Sequence, residues 1–241
     1  MRKVKPLTLS ILLFSPFILL AQPSAKLLFS KKVIKVKALI EQTFGPELEK
    51  RNAATKKMFG AATELENYGI FELRNLLDTS QHTEPIKVLS NAYCELLNGE
   101  ISISNAIGFE MAVGHIVTLN PTDKTYQAHF FHYTDEVKMH KLHPEDDFIE
   151  DIQVDFSQVS LEFSPDSSFK PGGIIKGQLL GTTVRYYEKD GLVSNANPIQ
   201  YQVRSVFECR LVSDMELREG TEMEELEGGN QLPKKKKKGG E

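Results

Sequence analysis

The chain has no tryptophan and only two cysteines. It also lacks the short motifs that most directly announce a chemistry. There is no GxSxG to lift a serine onto a strand–helix elbow and no GxxxxGK[ST] or GxGxxG to cradle phosphates. No HExxH presents two zinc ligands on one helical face, and no CxxC supplies a thioredoxin-like dithiol. Carbohydrate-handling clefts lean on large aromatics, so the missing tryptophan argues against a sugar enzyme, although an acidic chain always offers paired carboxylates.

Long apolar runs are missing too. Spanning a bilayer takes ~20 apolar residues, and the run from Leu7 to Ala21 is shorter and carries Pro16 in its middle. It follows Arg2, Lys3 and Lys5, which is the layout of a secretory signal peptide over residues 1–21, cut after Ala21. No cysteine follows at once to take a lipid. The expectation is an exported chain, periplasmic or extracellular, and not transmembrane. At the other end, residues 213–241 crowd glutamates ahead of KKKKK. This reads as a disordered, solvated tail whose lysines could make a weak contact with an anionic surface.

Charge is unevenly spread. Residues 26–57 hold nine basic against three acidic side chains, whereas residues 58–212 hold eleven against twenty-two. Such a body is a poor partner for nucleic acid, which needs clustered positive charge. The basic segment suits docking onto the acidic body or onto an acidic partner.

What is present is mostly strand. Residues 22–80 read as a helical N-terminal segment. Val33, Val36, Ile40 and Phe44 share one face, Gly45-Pro46 is expected to end that helix, a second runs through Leu48, Thr55 and Phe59, and a third spans Ile70 to Leu77. From 86 to 212 the pattern alternates with period two. Asn98-Gly99 predicts a two-residue type I′ hairpin with Leu97 facing Glu100 and Cys94 facing Ile103. Ser157-Gln158 marks a phase switch, hence a bulge, and Gly177 and Gly181 mark kinks or close backbone approach. The fold class is mainly β: an antiparallel sandwich or barrel of about eight strands after a helical segment. Cys94 and Cys209 both point inward on their strands, which predicts one disulfide in an oxidising compartment.

The stretch HFFHYTDEVKMHKLHPEDD at 129–147 holds four of the six histidines. With Leu119 placed opposite Lys124, alternation puts His115 and His132 on one face and His129 on the other. A turn near Asp135-Glu136 would set His132 opposite His140 and His129 opposite His143. A histidine pair and one carboxylate can make a three-ligand metal site, and His132, His140 and Asp135 are the candidates. Histidines simply satisfied or solvated are the plainer reading, and no cofactor is called for. The acidic run Glu145, Asp146, Asp147, Glu150 and Asp151 lacks EF-hand spacing and reads as a solvated edge. The functional expectation is an exported non-catalytic β-domain protein that binds or assembles with an unidentified protein or small ligand. The alternatives are a metal- or carboxylate-dependent hydrolase and a carrier of small apolar ligands.

Overall fold

The computed structural model describes residues 25–59, 67–78, 84–107, 113–133, 138–190 and 195–213. The expected signal peptide, Asp135, and residues 214–241 of the tail lie outside them. Two short strands, β1 (Ala25–Lys26) and β2 (Leu28–Phe29), precede helix α1 (Val36–Phe59). Then come β3 (Tyr68–Asn75), β4 (Ile86–Leu97), β5 (Glu100–Ile107), β6 (Val113–Asn120) and β7 (Thr125–His132). They are followed by β8 (Lys138–Lys141), β9 (Ile152–Phe163), β10 (Ile174–Thr183), β11 (Tyr186–Asp190), β12 (Asn197–Ile199) and β13 (Tyr201–Ser213).

Strands β3, β4, β5, β6, β7, β9, β10 and β13 pair in that order, and β13 returns to β3. The result is a closed antiparallel barrel of eight strands, so the choice between sandwich and barrel falls to the barrel. The two long excursions, between β7 and β9 and between β10 and β13, leave from one end. There β8, β11 and β12 form a small separate sheet. Closure removes exposed strand edges, yet the β7–β9 seam is only half zipped: His129–His132 pair with Ile152–Asp155. Towards the other end β1 pairs with β7 and β2 with β9, so the first described residues occupy the open half of the seam.

Local chemistry accounts for the registers. Asn98 and Gly99 have φ of 52° and 84°, as a type I′ turn requires, and Cys94 faces Ile103 as expected. Ser157 is the extra residue of a bulge, since Thr182 faces Gln158 and Thr183 faces Phe156. The β6–β7 loop sits one residue later than expected. Asn120 Oδ1 accepts from the amides of Thr122 and Asp123 at 3.0 and 3.1 Å, and Lys124 takes a φ of 54°. Leu119 therefore faces Tyr126 rather than Lys124. Register moves by two, so the inward set is unchanged.

The N-terminal expectations need three corrections. Ile70–Leu77 is not a helix: Tyr68–Asn75 is barrel strand β3, so the β domain begins well before residue 86. Both faces of this strand are buried, Phe71 and Leu73 inside and Tyr68 and Ile70 beneath α1. Apolar residues on both parities blur a period of two. Nor does Gly45-Pro46 end the helix, which runs on with Pro46 inside it; the proline deprives the Gln42 carbonyl of its ordinary donor. Helix α1 docks through Val36 and Ile40, with Ile34 ahead of it, against Tyr68, Ile70 and Val206. Val33, expected on that face, is exposed, and Ile34 takes its place. Burying such a side chain contributes ~1.5–3 kcal/mol, so apolar contact helps seat the helix.

Inside the barrel one cluster gathers Phe71, Ile103, Phe130, Phe163, Leu179 and Phe207 with the other inward side chains. The disulfide Cys94–Cys209 lies in it, joining segments 115 residues apart with a Cα–Cα distance of 5.7 Å. Glycines make room for the rings: a Cβ on Gly177 would lie 2.6 Å from Phe207, and one on Gly181 would lie 2.5 Å from Phe156. A polar layer crosses this interior. Asn105 Nδ2 donates to Ser205 Oγ at 2.6 Å, and His115 Nε2 lies 2.8 Å from the same oxygen. Phe71 and Phe207 flank the imidazole, each with its ring centroid 6.0 Å away. Burial disfavours the imidazolium and pushes His115 down to about 3. Among the described residues no helix is long and apolar enough to cross a membrane.

Candidate metal centre

At the end of the barrel that carries the small sheet, the end of β7, β8 and the chain-distant β11 converge. β7 ends on His132, which keeps the inward parity of Tyr126, Ala128 and Phe130 and is buried. β8 brings His140 and β11 brings Glu188, directly opposite each other across the strand pair. Tyr186 shares the Glu188 face, two residues away on β11. Its ring packs within 6.5 Å of Phe130 and 6.4 Å of Tyr201, between the small sheet and the barrel interior.

The donor atoms of His132, His140 and Glu188 all lie within 4.8 Å of one another. His140 Nε2 is 3.5 Å and His132 Nδ1 4.0 Å from Glu188 Oε2. The Tyr186 hydroxyl is 3.3 Å from His132 Nδ1. His140 is wholly buried and its Nδ1 lies 3.0 Å from the carbonyl oxygen of Glu150. A carbonyl only accepts, so Nδ1 carries a proton, which leaves Nε2 as the ring atom turned towards the carboxylate. That Nε2 is buried without a hydrogen-bond partner. A ring nitrogen and a carboxylate oxygen so placed call for a cation or a proton between them.

The donor set suits a metal of the zinc class. Two imidazoles and one carboxylate are a known catalytic set. The hydrogen bond from His140 Nδ1 to a backbone carbonyl is the outer support that metal-bound histidines ordinarily have. Burial acts on the neighbours as well. Tyr186 is pushed far above the usual phenol range, first by desolvation and then by Tyr201 and Glu188. Tyr201 is pushed up to about 12, by desolvation and then by Glu188.

The sequence stretch thus divides. His132 and His140 do meet, their ring centroids 4.3 Å apart, but not by pairing of their strands, because β8 pairs with β11 rather than β7. The expected His129–His143 pair does not form. His129 Nδ1 meets Asp155 Oδ1 at 2.9 Å, and His143 is exposed in a turn where its amide donates to Asp146. The carboxylate that joins the pair among the described residues is Glu188, which the sequence reading missed. Strand parity couples Glu188 to Tyr186, but nothing local says that YYEKD lies beside KMHK. No family model, curated protein or solved structure matches this chain, so its centre is read from geometry alone.

Proposed function

We propose that this is an exported, non-catalytic binding protein whose barrel holds one divalent ion of the zinc class at His132, His140 and Glu188. One observation carries the reading: a buried, unpartnered His140 Nε2, its ring oriented by Glu150, faces Glu188 and His132. Export is supported by the basic-then-apolar start and by a buried disulfide, which persists in oxidising compartments. The aromatic packing along the interior counts against a carrier of apolar ligands. A groove of about 270 Å³ lies instead on the wall formed by β9, β10 and β13, lined by residues such as Gln158, Ser160, Thr182 and Gln202.

The rival is a protonated His140 paired with Glu188. At 3.5 Å that contact is longer than the 2.7–3.2 Å of an ordinary hydrogen bond. Zinc titration of the mature, oxidised protein by calorimetry separates the two. One zinc per chain is expected, with affinity lost in His140→Ala and strongly reduced in Glu188→Gln. A folded wild type that takes up no zinc sinks the metal reading in favour of the ion pair.

A further inference from the structure

We propose that Tyr186 is the fourth donor of this centre, so that the protein itself closes the coordination shell and the ion fastens the small sheet to the barrel. The inference rests on the metal-binding reading above and goes beyond it by assigning the position that separates a structural ion from a hydrolytic one.

Distances carry the argument. An ion held at ~2.0–2.2 Å by tetrahedral ligands needs those ligands roughly 3.3–3.6 Å apart. His140 Nε2 to Glu188 Oε2 is 3.5 Å and His132 Nδ1 to Tyr186 Oη is 3.3 Å. Two of the ligand separations that a tetrahedral shell needs are therefore already present, one within the small sheet and one between the barrel and that sheet. His132 Nδ1 to Glu188 Oε2, at 4.0 Å, needs only slight contraction. Tyr186 and His140 are both wholly buried, so what solvent reaches the centre comes from the side of Glu188.

Catalytic zinc sites keep three protein ligands and an open water position, whereas structural ones are closed by four. The arrangement belongs to the second kind. Its ligands come from β7, β8 and β11, so the ion ties both excursions of the chain to the barrel rim.

Spectroscopy on the oxidised mature protein tests this. With Co2+, the wild type is expected to give the intense visible bands of a four-coordinate ion. Tyr186→Phe should still bind Co2+ through the other three donors, roughly tenfold or more weakly, with bands altered as water enters. With Cu2+, the wild type alone should show a phenolate-to-copper charge-transfer band, a readout that needs no variant to fold. Co2+ binding of equal strength and spectrum in Tyr186→Phe, or Cu2+ binding without the charge-transfer band, overturns the assignment and leaves the three-ligand centre standing. No binding of either ion by wild type removes the centre itself.

Discussion

Replacing His115 with glutamine should flatten the acid limb of the stability curve. The imidazole is wholly buried, bonded to Ser205 and flanked by Phe71 and Phe207, and its pKa is pushed down to about 3 by desolvation. In the unfolded chain it returns to ~6.5. Its folded pKa is thus depressed, so the unfolded state binds the proton first as pH falls. Stability tied to the neutral ring is complete above pH ~6.5 and is lost progressively down to pH ~3. Linkage gives a loss of about 2 kcal/mol between pH 7.5 and pH 5, and about 3 kcal/mol by pH 4. Urea unfolding at pH 7.5, 6, 5 and 4 measures it, comparing wild type with His115→Gln. The variant will be weaker overall, since glutamine fills the polar layer poorly, so the difference in slope with pH is the quantity that matters. Other titrating groups contribute equally to both proteins and cancel. Parallel curves for the two proteins would refute the argument and mean that His115 is protonated in the fold or reached by water.

Two further outcomes follow from the interior. Replacing Cys94 and Cys209 together with alanine opens a loop 115 residues long, which by chain entropy should remove about 5 kcal/mol. A thermal melt of the variant, or of wild type held in reductant, should fall by roughly 10–20 °C for a domain of this size, and an unchanged melt would show that the bridge constrains little. Gly177→Ala sets a Cβ against the Phe207 ring at 2.6 Å, and overpacking of this kind costs about 1–3 kcal/mol. The same change at Gly99, where φ is 84° and nothing lies nearby, should cost about 1 kcal/mol through the backbone alone. Chemical denaturation of both variants checks the order.

Where the sequence spoke clearly, two independent signals agreed. Asn98-Gly99 and the alternation of Ala92, Cys94, Leu96, Ile101 and Ile103 demand the same hairpin register, and that register is found. Cys209 shares its parity with Val203, Phe207 and Leu211, so its inward direction was legible, and the disulfide with it. β3 was hidden because α1 covers its outer face, leaving Ile70 and Phe71 both buried. β1 and β2, two residues each, are too short to show any period. Half of the candidate centre was legible as well, since His132 and His140 stand in one histidine-rich stretch. Glu188 was not, because the partner of β8 is chosen by how two distant excursions pack over one rim, which no local pattern encodes.

The half-zipped seam has a consequence for how the molecule is made and handled. Residues 25–29 supply part of the pairing that β7 and β9 do not give each other, so a trimmed chain would expose more of both strands' backbone. Such exposed backbone accepts whatever extended peptide is near, and the nearest in a concentrated solution is the same segment of another molecule. Shortening the chain past Phe29 should therefore favour exchange of that segment between copies, and a bulky fusion placed directly ahead of Ala25 would press on the same gap.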